Sequence, residues 1–254
     1  KVELNGEVQF PGEYTIRRGE LLSSLIKRAG GFTDKAYLKG AVLTRESVRK
    51  LQKKYLNETI DRLEQKLIST AAGTLETALS TESALLQKGA LEQRQLLLAK
   101  LKSVEPIGRL PIELSSMDTF EGSFSDIPLE ERDILTVPER PSSIQVLGSV
   151  YNQGSYLYSK EMRLSDYLQQ SGGMGREADE GEMYVLKVDG TAVSRRLTDR
   201  FFFSSTFMGL ELDPGDAVVV PEEIERIAWL REFKDITQIL YHIAISAAVV
   251  LKIP

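Results

Sequence analysis

Hydrophobic and polar residues alternate at the start of the chain and then change period, which predicts two strands followed by a helix. Val2 and Leu4 belong to a short apolar run that breaks at Pro11-Gly12, and Tyr14 and Ile16 alternate with polar neighbours. A period of two is typical of half-buried strands. A helical pattern then ends at Gly30-Gly31, where glycine is a common helix stop. The apolar residues of this predicted helix are Leu21, Leu22, Leu25, Ile26 and Ala29.

The same pattern recurs 142 residues further along the chain. Eight of thirty aligned positions are identical, whereas ordinary residue usage would give about two. Four of the eight are glycines, and a shared glycine pattern indicates a shared backbone path, because glycine is the residue that readily adopts positive φ. We therefore interpret the two segments as copies of one unit. The identical pairs are Gly6/Gly148, Val8/Val150, Gly12/Gly154, Tyr14/Tyr156, Leu22/Leu164, Ser23/Ser165, Gly30/Gly172 and Gly31/Gly173.

A third match closes each unit. Residues 129–139 align with residues 212–222 at an offset of 83, so the first unit carries 142 minus 83, or 59, extra residues in its middle. Each unit reads as strand, turn, strand, helix, variable middle and final strand, which predicts a small α+β domain with one sheet under one helix. The final strand ends at a proline, which cannot donate to the next rung of the ladder.

The glycine pattern resembles the opening of an SLBB module, the β-grasp domain of outer-membrane polysaccharide export proteins. The residues that carry the resemblance are Gly6, Pro11, Gly12, Tyr14, Gly30 and Gly31, and in the second unit Gly148, Gly154, Tyr156, Gly172 and Gly173. The resemblance implies an α+β fold of two tandem β-grasp modules, at 1–139 and 140–222, followed by an amphipathic or membrane helix at 223–254. The N-terminal domain that precedes these modules in Wza-type exporters is absent, so we expect a fragment of a longer protein.

The same resemblance implies a functional setting. It points to a homo-oligomeric ring in the periplasm and outer membrane of a Gram-negative bacterium, with a capsular or extracellular polysaccharide as the transported substrate. An inner-membrane polysaccharide co-polymerase would be a partner, and the C-terminal helix would contact outer-membrane lipid. The alternative is a soluble periplasmic ligand-binding or scaffold module that binds saccharide or a partner protein without forming a pore.

The extra segment of the first unit, about residues 45–104, has a helical composition. Two apolar stripes separated by the weakly helical residues 69–74 predict two antiparallel helices. Each would contain about 25 residues and reach nearly 40 Å at 1.5 Å per residue. The two stripes either bury each other, as helices generally do, or the hairpin projects to a neighbouring subunit or the membrane surface.

Close to its C-terminus the chain contains a run of sixteen residues, 236–251, without a charge. This run is short of the roughly 20 residues that a spanning helix needs, and Gln238, His242 and Ser246 fall on one face at a spacing of four. A buried helix docked on the second module is one interpretation. The other is an amphipathic wall helix that presents these three residues to a lumen and its apolar face to lipid.

Composition and motifs offer little chemistry. The net charge of −5 and the interspersed charges do not form the basic face that nucleic acid requires. The chain has no cysteine and only one histidine, which excludes disulfides, thiolate metal sites and multi-histidine metal sites. We therefore predict no catalytic residue, no metal site and no cofactor, and a non-enzymatic function.

Two further residue groups carry predictions. Asp133 and Asp216 recur just before the final strands, where a turn role is expected rather than catalysis. The phenylalanines at 201–203 and Phe207 suggest an exposed patch between subunits, with a core strand of the second module as the alternative.

Overall fold

The chain folds into two five-stranded mixed sheets, one for each copy of the sequence repeat. The computed structural model describes residues 1–75, 95–96, 98–201 and 207–222. The first sheet consists of β1 (Val2–Gly6), β2 (Gly12–Tyr14), β3 (Val42–Thr44), β4 (Arg109–Leu110) and β5 (Ile134–Val137). The second consists of β6 (Ser143–Gly148), β7 (Gly154–Leu157), β8 (Tyr184–Leu186), β9 (Ala192–Ser194) and β10 (Ala217–Val220). The first sheet has the order β2-β1-β5-β3-β4 and the second the order β7-β6-β10-β8-β9.

Equivalent strands pair in the same way in the two sheets. The first and last strands of each module are parallel neighbours, with Leu4 opposite Leu135 and Val146 opposite Val218. All other pairs are antiparallel. The predicted order of strand, turn, strand, helix and closing strand is therefore confirmed for both units.

One helix packs on each sheet and forms a separate hydrophobic core with it. Helix α1 (Leu22–Arg28) covers the first sheet, and the equivalent α4 (Leu164–Gln170) covers the second. Leu22, Leu25 and Ile26 are at most 1% exposed against Leu4, Leu135 and Val137. Burying such side chains contributes roughly 1.5–3 kcal/mol each, so the apolar face of the helix stabilises its packing on the sheet. The remaining short helices are α3 (Met117–Phe120) and α5 (Arg195–Phe201).

The short strands β3, β4, β8 and β9 were not predicted from the sequence. In the second module β8 and β9 are joined by a tight connection, whereas the first module places its insertion between β3 and β4. Register proves the equivalence, because Leu43 faces Leu110 as Val185 faces Val193. Residues 43 and 185 differ by 142 and residues 110 and 193 by 83, so the 59 extra residues lie within this hairpin.

The insertion begins with helix α2 (Glu46–Leu75), and helical residues at 98–102 return towards the sheet. Leu56 and Ile60 of α2 pack against Leu98 and Leu101, and the ammonium of Lys102 lies 2.6 Å from the carboxylate of Glu64. At its base the two arms therefore bury each other. The turn of the predicted hairpin lies outside the described residues, and the complete hairpin stays a prediction.

Phe207 was expected in an exposed patch, or in a core strand under the alternative. It is instead 1% exposed and begins a short 3-10 helix (Phe207–Gly209) in the core of the second module. The exposed-patch prediction is therefore wrong for this residue.

No helix within the described ranges is both long enough and apolar enough to cross a membrane, and the predicted C-terminal helix at 223–254 lies outside those ranges.

Candidate functional site: the repeated ion pair and the module junction

The glycines Gly6 and Gly148 allow the closing strand of each module to approach closely. They end β1 and β6 with φ of +79° and +93°, a region that side chains other than glycine rarely adopt. A Cβ at either position would overlap the carbonyl oxygen of the residue that ends the closing strand, Val137 or Val220. The shared glycine is therefore required by the parallel pairing of the first and last strands.

The tyrosines of the motif hold the turn between the first two strands. Tyr14 donates its hydroxyl to the carbonyl oxygen of Phe10 at 2.5 Å, and Tyr156 donates to the carbonyl oxygen of Asn152 at 2.6 Å. Phe10 and Asn152 are 142 residues apart, so the two bonds are equivalent. The remaining motif residues of this turn are the exposed Pro11, which precedes β2, and the half-buried Gly12 and Gly154, which begin β2 and β7.

Both glycines of each helix-ending pair have positive φ. The values are +79° and +83° for Gly30 and Gly31, and +84° and +87° for Gly172 and Gly173. Their N–H groups bond back to carbonyls of the last helical turn, which satisfies groups that a helix end leaves unpaired. The motif positions therefore shape the backbone.

A buried ion pair follows the third strand of the first module. Arg45 comes directly after β3 and donates from Nε and Nη2 to the carboxylate of Asp133, at 3.0 and 2.8 Å. Asp133 is 1% exposed and also accepts from the backbone N–H of Glu130 at 2.9 Å. These donors satisfy the buried carboxylate oxygens, so Asp133 anchors the turn before β5, as expected, and also ties it to β3.

The second module repeats this arrangement with lysine in place of arginine. Lys187 follows β8 and lies 2.5 Å from the carboxylate of Asp216, which is fully buried. Asp216 also accepts from the backbone N–H groups of Asp213 at 2.7 Å and Val188 at 2.9 Å. Burial opposes the charge of Lys187, but the contacts with the two aspartates outweigh burial and raise its pKa. Burial also opposes the charge of Asp216 and therefore raises its pKa, while its hydrogen bonds act in the opposite direction.

A polar junction connects the two modules. The ammonium of Lys39 lies 2.9 Å from the carboxylate of Asp213, and the guanidinium of Arg109 donates to the carbonyl oxygen of Val188 at 2.9 Å. Arg109 is only 7% exposed and lies directly over Gly190, where a Cβ would come within 2.7 Å of its central carbon. Burial lowers the pKa of Arg109. We call these five residues, with Tyr37, the module junction.

Tyr37 fills the centre of the junction. It is 7% exposed, its ring lies beneath the guanidinium of Arg140 at 5.9 Å, and its hydroxyl has no hydrogen-bond partner within the described chain. Burial, followed by the charges of Asp213 and Asp216 in the second module, raises the pKa of Tyr37. A buried aromatic ring and a buried guanidinium therefore lie where the two modules meet.

The sequence revealed only part of this arrangement. Asp133 and Asp216 were singled out, but their partners were not, although extending the offset of 142 from the glycine motif pairs Arg45 with Lys187. The junction residues carry no sequence signal, because Arg109 bonds to a backbone carbonyl in the other module. Gln238, His242 and Ser246, the predicted lumen-facing residues, lie outside the described residues.

The described residues offer no arrangement for metal or nucleophilic chemistry. Within those ranges no group of three or more histidine, aspartate or glutamate side chains is placed to hold a metal ion. The buried carboxylates of Asp133 and Asp216 are neutralised by Arg45 and Lys187 and anchor turns. What this arrangement supplies is one buried ion pair in each module and a set of polar contacts between the two modules.

Comparison with known proteins agrees with the repeat. Residues 1–52 and 143–195 each match the SLBB domain, which confirms the resemblance drawn from the glycine motif. Two curated relatives, both the polysialic acid transport protein KpsD of Escherichia coli, are 28% identical over 211 residues. The matched region covers 83% of this chain and 33% of each relative, so the chain spans about a third of the length of the curated relatives it matches.

Proposed function

Since the chain carries two SLBB domains, we propose that it is a structural, non-enzymatic part of a polysaccharide export protein of the bacterial envelope. The observation that carries this proposal is the extent of similarity to a polysaccharide transport protein, which covers 83% of the chain. A similarity confined to one module would support only a shared domain. The whole protein would conduct capsular or extracellular polysaccharide from the periplasm to the cell surface.

The contacts between the two modules support a ring assembly. A subunit whose two modules keep one orientation presents two fixed faces to its neighbours, and head-to-tail contacts that close by rotation leave a central channel. The junction supplies that fixed orientation through the Lys39–Asp213 ion pair and the buried side chain of Arg109. We propose that the subunits form a homo-oligomeric ring. On its periplasmic side this ring would contact an inner-membrane polysaccharide co-polymerase.

The C-terminal segment completes the proposal. In the proposed ring, residues 236–251 form a wall helix in the outer membrane, with Gln238, His242 and Ser246 facing the lumen. Weakly polar side chains at these positions let a hydrated polymer slide past without strong binding. The opposite, apolar face would contact lipid, which has no polar groups to satisfy.

The proposal is tested by deleting the gene from its bacterium and re-expressing the full-length protein. We expect deletion to leave polysaccharide inside the envelope and re-expression to restore it at the surface, because transport rather than synthesis is lost. Particle images of the purified full-length protein should then show rotational symmetry. Normal surface polysaccharide in the deletion strain would refute the export function, and a monomeric full-length protein would favour the soluble scaffold alternative.

A further inference from the structure

The side chain of Phe124 is fully exposed on a turn that hydrogen bonds hold in place. Its exposed fraction is 101%. Within the turn the carboxylate of Asp126 accepts from the N–H of Gly122 at 3.0 Å, and the N–H of Asp126 donates to the carbonyl oxygen of Ser123 at 3.1 Å. The same carboxylate accepts from Ser23 at the start of α1. A turn that is anchored on the helix therefore presents an apolar ring to solvent.

The second module shows that the fold does not require an exposed phenylalanine at this position. The residue 83 positions further on is Phe207, which is 1% exposed in the core. The backbone beside both positions is the same, because an N–H at the start of each helix donates to the carbonyl oxygen three residues after the phenylalanine, in both cases at 3.1 Å. In the first module Phe120 is fully buried in the core, which leaves Phe124 outside.

The surface around Phe124 is acidic. Residues 110–128 contain four acidic residues and no basic one. Two of the four, Glu113 and Asp118, are exposed, and the backbone N–H of Glu113 donates to the hydroxyl of Ser125 at 3.1 Å, directly beside the phenylalanine. We call Phe124, Glu113 and Asp118 the acidic knob.

A basic cleft opens at the turn that precedes α1. It has a volume of about 380 Å³, and nothing lies within 4 Å of the position of a Cβ on Gly19, so the cleft has room for an incoming side chain. Arg28 lies 3.2 Å from the carboxylate of Glu20, so the net formal charge of +2 comes from the exposed Arg17 and Arg18. The lining residues are Arg17, Arg18, Gly19, Glu20, Ser24 and Arg28.

The knob and the cleft lie on different sides of the first module. Lys27 of α1 pairs with Glu121 in the turn of the knob at 2.6 Å, whereas the next residue, Arg28, lines the cleft and donates to the carbonyl oxygen of Thr15 at 3.1 Å. Consecutive helical residues point about 100° apart. Thr15 follows β2 and the segment of the knob follows β4, and these are the two outer strands of the sheet. One copy of the chain can therefore offer its knob to one neighbour and its cleft to another.

We infer that the knob of one copy inserts into the basic cleft of the next copy, so that the first modules form the head-to-tail contact of the ring. This inference rests on the ring assembly of the proposed function. The carboxylates of Glu113 and Asp118 meet the guanidinium groups of Arg17 and Arg18, whose planar forks match them. The ring of Phe124 packs against the same guanidinium groups. Because the knob and the cleft are different surfaces, the contact is heterologous and can close by rotation.

The charges of the second module determine which modules meet. Its residues 193–211, equivalent to the segment of the knob, carry a net formal charge of +1. Its six residues equivalent to the cleft carry −1, and they are Ser159, Lys160, Glu161, Met162, Asp166 and Gln170. A first module set against a second module would bring charges of the same sign together on both surfaces, which disfavours that pairing. First modules therefore contact first modules, and neighbouring copies lie level around the ring.

The test measures the assembly of the full-length protein by mass photometry over a range of concentrations. Phe124→Ala should raise the concentration of half-assembly at least about tenfold, because an aromatic anchor of the contact is lost. The matched control is Tyr151→Ala, which removes a ring that is 70% exposed in the second module and should shift this concentration less than about twofold. Thermal unfolding checks that each variant remains folded.

Two charge-reversed variants separate a contact between copies from a structural role within one copy. Arg17→Glu with Arg18→Glu makes both surfaces acidic, and Glu113→Arg with Asp118→Arg makes both basic. Each variant alone should assemble at least about tenfold more weakly, since like charges then face each other. An equimolar mixture of the two should regain assembly, because every acidic surface then meets a basic one. A mixture that assembles no better than its components would refute the inference.

The remaining outcomes distinguish this contact from the proposed function. Unchanged assembly in all the variants, with symmetric particles and an export defect in the deletion strain, would overturn the inference and leave the proposed function standing. A monomeric unsubstituted protein would refute the ring and the contact together. Restored assembly in the mixture, with normal surface polysaccharide in the deletion strain, would refute the export function alone. If Phe124→Ala instead abolished binding to phosphatidylglycerol vesicles and left assembly unchanged, the knob would be a lipid contact and the inference would be wrong.

Discussion

Lys187 makes in the second module the ion pair that Arg45 makes in the first. Each residue follows the third strand of its module and contacts the buried aspartate before the closing strand. The lysine reaches Asp216 and Asp213, and the arginine reaches the equivalent Asp133 and Glu130. The repeat thus preserves a charged contact as well as a backbone path.

Removing either buried aspartate should destabilise its own module. Asp133→Ala and Asp216→Ala each leave a largely buried cation with only its more exposed acidic partner, Glu130 or Asp213, and we expect a loss of about 3 kcal/mol in the free energy of unfolding. Urea unfolding monitored by circular dichroism provides the measurement. Asp34→Ala is the control, since Asp34 is exposed and its loss should change stability by less than about 0.5 kcal/mol. Equal effects of all three substitutions would contradict the structural role.

Asp126 should make the first module sensitive to acid. It is 8% exposed and accepts from the N–H and hydroxyl of Ser23, at the start of α1, and from the N–H of Gly122. Burial acts against the charge, but these hydrogen bonds lower the pKa of Asp126 below its ordinary 3.8. The stabilisation is therefore present above pH 3.8 and is lost as the pH falls through the lower native value. Asp126→Asn should reduce the pH dependence of the unfolding free energy in this range.

The two modules offer a matched test of the hydrogen bonds between Ser23 and Asp126. Ser23→Ala should cost about 1 kcal/mol or more, because a hydrogen bond to a charged group is lost. Ser165, the equivalent residue of the second module, is exposed, and Ser165→Ala should have almost no effect. Equal losses would mean that Asp126 does not stabilise α1.

The module junction should depend on the glycine beneath Arg109. Gly190→Ala brings a methyl group into the guanidinium at a position with φ of +89°, so both backbone strain and overlap apply. We expect a loss of about 2 kcal/mol or more in stability, measured by calorimetry. Gly122→Ala is the control, because that residue has φ of +75° with open space around it and should cost only the strain of about 1 kcal/mol. A cost for Gly190→Ala no larger than that of the control would argue against close packing at the junction.

The helix-ending glycines should be equivalent in the two modules. Gly31 and Gly173 have positive φ and no atom within 4 Å of a Cβ, so alanine at either position should cost about 1 kcal/mol. Gly30→Ala should cost more, because the new methyl would meet the ring of Phe10 at 3.1 Å. Sensitivity at only one of Gly31 and Gly173 would contradict the equivalence.

The proposed pore helix can be mapped with single cysteines, because the chain has none of its own. In full-length protein in vesicles, cysteines at Gln238, His242 and Ser246 should react with a membrane-impermeant thiol reagent, and those at Ile239 and Ile243 should not. A charge introduced at Ile243 should cost roughly 2.5–3.5 kcal/mol near the bilayer centre. Uniform protection of all five positions would exclude a lumen-facing stripe.

The sequence predicted the long-range plan of the fold better than its small parts. The glycine motif, the two helices and the closing strands were visible because each depends on the local backbone or on a period. Strands β4 and β3 have only two and three residues, too few for a period to show. Phe207 was misplaced because a single aromatic residue in a loop carries no pattern that reports its burial.

The sequence by itself determined the repeat. Positive φ at Gly6, Gly30 and their counterparts favours glycine at those single positions, so the shared backbone path is visible as a shared glycine pattern. It also determined which face of each helix is buried, since helical spacing aligns apolar side chains. Only the tertiary structure decided that Arg45 and Lys187 pair with distant aspartates and that Arg109 is buried over Gly190. Those contacts form when sheets close and modules meet, and the carbonyl oxygen that Arg109 binds is present in every residue, so no sequence pattern can mark it.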